Sequence, residues 1–548
     1  MRNRSRFSFV AAGLLLLAGA AGAQEPQQIR IDTSAAQVEA TGVDVRDGVV
    51  LLTLEEAVEI ALRQNLGLSI QRYTRNRARL GIAQTLGVYD VLASASGFAQ
   101  DEVSPPTSDL AASELNFQQL TFGFDQLFPT GGVLSLDWVN FRREQNLAFS
   151  RFNPEYNSDL AFSFNQPLLR GFGRLATERE LLVARNRSQA SREDFENQLV
   201  LTVQDVIDAY WNLVGARQQL IVAEESMKLA RELHDRNRIQ VEVGTMAPLE
   251  LVQSEAAIAE REEGIITAQS ALGDAEDILR RLLNLPEGEL WSTEIRPATD
   301  PAIQHTPIDV AAAIQTALAE RPELRGVQLD IEQARIESEF ARNSERPTLD
   351  LNVSYGFEGA GGNVIVRDPD NPNNPPVVVS TGNFGDAFNQ VSGLDFDGWT
   401  AQLTFGLPLQ NRSARALRAI ADLDLQRAQT SLEDARNAII TEVRGAARRV
   451  ETAAKQIEAA NASRVFQERN LDAERKRYEN GMSTSFQITQ IQEDLTEARS
   501  REVNSIVNYR IALAEYQRAI GRLLEEEGVS IDDEEAQVDR WQFSLRGR

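Results

Sequence analysis

The chain contains no cysteine, so it has neither a disulfide frame nor thiolate metal ligands, and no cysteine on which an acyl anchor could form. Histidine is almost as scarce. His234 and His305 stand far apart, too few and too separated for a histidine metal site or a catalytic triad. His234 sits in a charged stretch and reads as solvated. No Walker loop or dinucleotide fingerprint occurs. Gly171-Phe172-Gly173 lacks the third glycine of such a fingerprint and reads as a hinge. Glu224-Glu225 reads as a solvated helix face. These absences leave an enzyme reading almost no residue support and imply no cofactor. Basic residues are in deficit, with 56 Lys and Arg against 81 Asp and Glu and a formal charge of −25, which excludes nucleic acid as a partner.

Long apolar runs are missing too, apart from the N-terminus. There Arg2, Arg4 and Arg6 precede an apolar stretch from Val10 to Ala20 and an Ala21-Gly22-Ala23 cleavage signature. This reads as a signal peptide over residues 1–23, with the expected mature chain beginning near Gln24 outside the cytoplasm. No later segment approaches a spanning helix. A mature protein of this kind enters a membrane only as a β-barrel.

What the chain does have is a repeat. LTLEEAVEIALRQNLGL (52–68) resembles IDVAAAIQTALAERPEL (308–324) at an offset of 256, and later helices repeat at offsets near 240. Each half reads helix, strands, long helix, turn, helix. Repeat 1 is expected over 51–300, with a helix at 54–89, strands within 91–168 and a helical hairpin over 175–284. Repeat 2 is expected over 301–524, with a helix at 308–345, strands within 348–409 and a hairpin over 413–524. Residues 24–50 read as an N-terminal extension and 525–548 as an acidic tail.

Proline is absent from 175–240 and from everything after Pro408. Phe195, Leu199, Val203, Val206, Tyr210, Leu213, Leu220, Ala223, Met227 and Ala230 step by threes and fours, a coiled-coil seam interrupted once by Arg217. Leu432, Ala435, Ile439, Val443, Ala446, Val450, Ala453, Ile457 and Ala460 form a second seam. At 1.5 Å per residue each long helix would reach roughly 90–100 Å. The strands alternate: Leu349, Leu351, Val353, Tyr355 and Phe357 share one face, as do Trp399, Ala401, Leu403, Phe405 and Leu407, and Leu160, Phe162 and Phe164. Alternating segments of about ten residues are the signature of an outer-membrane barrel, and a long Gly-, Pro- and Asn-rich loop is expected from Glu358 to Phe396. Residues 115–128 and 132–141 make a further hairpin. The chain therefore supplies four strands, or six if this hairpin joins the wall. Neither closes a barrel of at least about eight strands, so several copies must share one.

The helix break VGTMAPLELVQ (243–253) returns as NGMSTSFQITQ (480–490) at an offset of 237, each copy leading into an apolar-periodic run that opens on Leu249 or Phe486. Gly244 and Gly481 supply the positive φ of a helix reversal. Pro248 suits the first turn of the next helix in one copy, and Thr484 or Ser485 caps it in the other.

These doubled landmarks carry a resemblance to the TolC-like outer-membrane efflux proteins. They include LTLEEAVEIALRQN and its second copy with Arg321-Pro322-Glu323-Leu324, and Pro347 before a strand. Pro167 and Pro408, in Gln166-Pro167-Leu168-Leu169 and Leu407-Pro408-Leu409, mark strand-to-helix transitions. The resemblance covers about residues 50–525. It implies an α+β membrane protein: a homotrimer whose strands form one transmembrane barrel, continuous with a coiled-coil periplasmic tunnel. Its partners would be outer-membrane lipid, a periplasmic adaptor (membrane fusion) protein and an inner-membrane pump of the RND, ABC or MFS type. The implied activity is a passive exit duct for drugs and toxic compounds. Type I protein secretion and a soluble periplasmic tether are the alternatives. Val243, Gly244, Thr245, Gly481 and Met482 fall on the adaptor-docking turns. The acidic ring of many members falls here on Gln487 and Gln490, and in the first repeat on Glu250 and Gln253, so Glu250 is the remaining candidate for cation binding. The hairpin 115–141, if in the wall, would give eighteen strands rather than twelve.

Overall fold

A computed structural model describes residues 45–46, 49–105, 112–147, 150–285, 288–299, 307–366 and 376–529. The signal segment, His305, nearly all of the 368–376 loop and the tail beyond 529 lie outside the described residues. In chain order the elements are strands β1 (Val45–Arg46) and β2 (Val49–Leu52), helices α1 (Leu54–Gln64) and α2 (Leu66–Leu86), and strands β3 (Leu92–Val103), β4 (Glu114–Leu127), β5 (Val133–Gln145) and β6 (Phe152–Pro167). Helices α3 (Arg179–Glu242) and α4 (Pro248–Leu283), strand β7 (Glu294–Pro297), and helices α5 (Val310–Glu320) and α6 (Pro322–Ser344) follow. Strands β8 (Thr348–Val366) and β9 (Val377–Ser380), helix α7 (Phe384–Gly393), strand β10 (Asp397–Gly406), and helices α8 (Arg412–Glu479) and α9 (Ser485–Ala519) come next, and short helical turns lie at Gly87–Tyr89, Arg174–Thr177, Glu289–Ser292 and Leu523–Glu526. No helix among the described residues is long and apolar enough to cross a membrane.

The helices expected at 54–89, with a weak break near Asn65–Gly67, and unbroken at 308–345 each come as two, divided at Asn65 and Arg321, which are themselves 256 residues apart. Arg321 precedes Pro322, whose ring drives the preceding residue out of the helical region, to ψ 125°. Asn65 takes ψ 126° and turns its side chain to accept from Leu68 N at 3.1 Å, capping the next helix. Thr53 starts α1 with a reciprocal capping box: its hydroxyl accepts from Glu56 N, and the Glu56 carboxylate accepts from Thr53 N at 2.8 Å.

The chain divides into two compact units. In the unit that includes Gln189–Asp330, both seams are buried as the periodicity predicts, with Leu220, Ala223, Leu432 and Ala435 only half-buried. Arg217, the interruption, pairs with Glu294 at 2.6 Å. That contact belongs to an element the sequence reading missed. Strand β2 pairs in parallel with β7, and Val50, Leu52 and Ile295 enter one core with Ile207, Leu213, Leu279 and Leu283. Fully burying each such side chain contributes about 1.5–3 kcal/mol. Tyr210 locks this sheet: its hydroxyl donates to Leu52 O at 3.1 Å and accepts from Thr299 N at 3.0 Å.

In the unit of Ala78–Ser188 and Ile331–Arg427, one antiparallel sheet runs β10-β8-β6-β5-β4-β3, with β9 added to β8. The hairpin 115–141 is therefore part of the sheet: its strands β4 and β5 stand between β6 and β3. The registers place Trp399, Leu403 and Phe405 on the same face as Leu351, Val353, Phe162, Phe164, Leu136, Trp138, Phe122 and Phe124. The opposite face carries Asp125, Ser135, Asp137, Ser163, Asn352, Thr400 and Gln402. The expected loop from Glu358 to Phe396 is not one long loop. Strand β8 continues to Val366, and α7 forms behind a capping box of Asn383 and Asp386.

Candidate functional site

Two features of the structure can act: the repeated helix reversals and the open sheet. The reversals are built alike, bond for bond. Thr245 N donates to Gln240 O at 2.9 Å and Gly244 N to Val241 O at 3.0 Å. Met482 N donates to Arg477 O and Gly481 N to Tyr478 O, both at 2.9 Å. This is the Schellman pairing, and it requires a left-handed residue at the glycine, with φ 79° at Gly244 and 72° at Gly481. The next helix then opens on Pro248 at its first position in one copy. In the other, the Thr484 side chain accepts from Gln487 N.

Both reversals carry apolar side chains in solvent. Val243, Leu249 and Val252 in the first, and Met482 and Phe486 in the second, are all at least 60% exposed. Leu249 and Phe486 occupy matching places 237 residues apart. In the sequence they read as the first residues of an apolar period, indistinguishable from core positions, so their outward placement was not legible. Beneath them Leu233, Leu471, Tyr478, Ile488 and Leu495 pack into one cluster with Met246.

Polar bonds tie the two reversals to each other. The Ser485 hydroxyl donates to the Glu250 carboxylate. Tyr478 Oη donates to Asn237 Oδ1 at 2.6 Å in the buried interior. Burial, reinforced by the charge on Glu250, raises the Tyr478 phenol above its ordinary value and keeps it a donor. Arg236 pairs with Glu479 at 3.4 Å, and Arg261 with Glu493 at 3.1 Å. Among the aperture candidates, Glu250 is thus half-buried and engaged by Ser485, whereas Gln253, Gln487 and Gln490 are exposed. His234, expected to be solvated, is instead partly buried and bonded through Nδ1 to Ser254 Oγ at 2.9 Å. The Ser254 hydroxyl also reaches Leu251 O at 2.9 Å.

Pro167 is the last residue of β6, and Pro408 stands two residues past Gly406, the last residue of β10. Having no N–H to offer, neither proline can extend a ladder where the chain turns toward a long helix. Beside Pro167 the ladder gives way to single bonds, from Leu168 N to Leu349 O and from Arg170 N to Pro347 O. The last turns of α6, with Glu345 just past its end, brace both long helices at their starts. Glu337 pairs with Arg179 at 3.1 Å, Ser338 donates to Asp422 at 2.6 Å, and Glu345 pairs with Arg418 at 2.8 Å. The Gly171-Phe172-Gly173 hinge has φ of 85° and 93° at its glycines.

The sheet is open at both edges. Among the described residues β3 pairs only with β4, and β10 only with β8. β3 is exposed along its whole length and β10 everywhere but its last residue. Unpaired backbone beside an apolar face is what a lipid environment forbids.

A family model described as outer membrane efflux protein matches residues 134–285 and 313–522. The chain belongs to the outer membrane efflux protein family. The two matched stretches fall on the two repeats, and membership places the protein in the outer membrane with a periplasmic helical part. The pyoverdine export outer membrane protein OpmQ of Pseudomonas putida is 22% identical over 343 residues; the match spans 61% of this chain and 64% of that relative. Of the solved structures, the CmeC outer membrane channel of Campylobacter jejuni superposes with a TM-score of 0.62 at 16% identity, covering 88% of this chain and 90% of that one. The open state of the MtrE outer membrane channel of Neisseria gonorrhoeae gives 0.59 at 16% identity, covering 86% and 89%. The fold of this efflux protein is thus that of a helical tunnel joined to a β-barrel.

Proposed function

We propose that the protein is the outer-membrane channel of a tripartite efflux system, a passive exit duct assembled as a homotrimer. The observation that carries this reading is the sheet with two unpaired edges. The described strands alternate in direction along an even path, so β10 of one copy and β3 of the next meet antiparallel. Six strands from each of three copies make a closed wall of eighteen, and no edge is left in lipid. The apolar face then meets the membrane and the Asp- and Ser-rich face lines the lumen.

The two reversals of each copy supply the periplasmic mouth. Their exposed Val243, Leu249, Met482 and Phe486 are knobs for the helical hairpins of an adaptor, and Val243, Gly244, Thr245, Gly481 and Met482 shape the turns that present them. The bonds from Ser485 to Glu250 and from Tyr478 to Asn237 hold the mouth shut until the adaptor separates the hairpins. Glu250, Gln253, Gln487 and Gln490 line the aperture. An inner-membrane pump of the RND, ABC or MFS type supplies the energy. The Pseudomonas putida relative is named for exporting pyoverdine, which supports a small-molecule cargo over protein secretion.

Gly244→Trp and Gly481→Trp test the reading. Neither glycine has a neighbour within 4 Å of an added Cβ, so the bulk enters solvent at the docking face. The variants are expected to extract from the outer membrane as detergent-stable, heat-modifiable trimers that no longer support drug export. A protein released without detergent, a monomer in detergent, or export at the wild-type level removes the proposal.

A further inference from the structure

Helix α7 lies on the apolar face of the sheet, at the end of the strands opposite the helix transitions at Thr348 and Pro167. From Leu349 to Phe357 the apolar face of β8 carries large side chains. Along a tilted strand that run covers roughly 20–25 Å of depth, the height of a barrel's apolar belt. The next residues on the same face are Gly359 and Gly361, and here the helix is seated. A Cβ on Gly359 would stand 2.0 Å from Ala387 O, and one on Gly361 2.9 Å from Asn383 O. Ala387 and Val391 are buried against the sheet.

The polar groups under the helix are satisfied. Trp138 Nε1 donates to Ser158 Oγ at 2.9 Å, Ser158 Oγ donates to Asn140 Oδ1 at 2.8 Å, and Gln390 Oε1 accepts from Ala360 N at 3.0 Å. The outward side of the helix carries Asp386, Asn389 and Ser392, and its flank beside the apolar face of the sheet is aromatic. Phe122, Trp138, Phe388 and Phe384 form a continuous row, with successive ring centroids 5.6, 5.9 and 6.2 Å apart. Phe388 is 41% exposed and Leu394 57%. Leu394 ends the helix with φ 58°, a left-handed conformation that an L side chain rarely adopts and glycine adopts freely. A large apolar residue kept there, facing outward, points to a partner outside the chain. The helix carries no Lys or Arg.

We infer that α7 is a membrane-interface helix, laid on the outer face of the wall just above its apolar belt, with Phe388 and Leu394 immersed in the acyl chains of the outer leaflet. The aromatic row then forms part of the girdle that fixes barrel depth, with the helix extending it outward from the wall. This rests on reading the sheet as a membrane wall, and the test separates the two. The chain has no cysteine, so single cysteines label cleanly. Full-length Phe388→Cys, with Leu403→Cys in the belt of β10 as reference, would carry an environment-sensitive fluorophore. Each would be reconstituted in phospholipid vesicles with and without brominated acyl chains, and exposed to aqueous iodide.

Both labels should lose most of their emission to brominated lipid and little to iodide. Quenching of the Leu403 label by lipid, with the Phe388 label open to iodide, overturns the interface helix and leaves the wall standing. A Phe388 label reached by neither quencher, in a variant that cross-links to a second copy, assigns the helix to a protein contact and likewise overturns it. A Leu403 label open to iodide removes the wall itself. A second variant, Phe388→Asp with Leu394→Asp, should shift the bromine-depth profile of the Leu403 label; an unchanged profile denies the helix a role in setting depth.

Discussion

Glycine at the helix reversals offers a clean separation of backbone from packing. Gly244 and Gly481 hold φ of 79° and 72°, yet a Cβ at either would meet no atom within 4 Å. The whole effect of Gly→Ala there is therefore conformational. The left-handed cost of about 1–2 kcal/mol, less the entropy that alanine removes from the opened chain, leaves a net of about 1 kcal/mol. That corresponds to a roughly fivefold rise in local opening at each reversal. Asparagine tolerates the left-handed region better, so Gly244→Asn should recover part of the loss. Gly264 and Gly273 provide the opposite case. They lie inside α4, also with open space around an added Cβ, but at ordinary helical φ. Alanine there should stabilise by about 0.4–1 kcal/mol. Hydrogen exchange of the amides at 243–251 and 481–488, and along α4, reads these changes in the detergent-solubilised protein. Faster exchange at the reversals and slower exchange in α4 are expected. The same sign at all four glycines, or Asn behaving no better than Ala, would refute the assignment of the reversals to left-handed caps.

Three further outcomes follow from the same structure. Tyr478→Phe leaves the buried Asn237 side chain without its phenol partner, at a cost of about 1–3 kcal/mol, and should speed exchange around 234–240 while Glu250→Gln leaves it nearly unchanged. Burial pushes Asp208 up to about 6, so the folded state holds a proton that the unfolded state releases near the ordinary value of 3.8. Stability is therefore lost as pH rises through that window, and Asp208→Asn should raise the denaturation midpoint at pH 7.5 while giving no gain at pH 4. Removing the β4–β5 hairpin should leave twelve strands in place of eighteen. With diameter roughly proportional to strand number, the lumen cross-section falls about twofold. Polymer exclusion from the outer side measures this, and an unchanged cutoff would put the hairpin outside the wall.

The outcomes at particular residues show why some features could be read and others could not. Helix seams and alternating strands are periodic and local, so Val203 to Leu213 and Leu349 to Phe357 announced their buried and apolar faces without a structure. The caps at Gly244 and Gly481 were legible for the same reason, since a left-handed residue is a property of one position. Strand β7 was not: Glu294-Ile295-Arg296-Pro297 is too short for its alternation to register, and it becomes a strand only because Val49–Leu52, far away in sequence, offers it a parallel edge. Helix α7 was hidden inside a loop-like composition and is held by a seat of two glycines on β8. The break at Arg321 was written in the following Pro322, yet the strong period on either side masked it.

The duplication, the alternating strand pattern and the two reversals could be read from the residues alone, because each rests on spacing along the chain. That the extra hairpin joins the sheet, that Glu250 is engaged by Ser485, and that Leu249 and Phe486 face solvent emerged with the three-dimensional fold. Those outcomes depend on which distant segments become neighbours, and strand registers and side-chain partners across hundreds of residues leave no local periodicity to read.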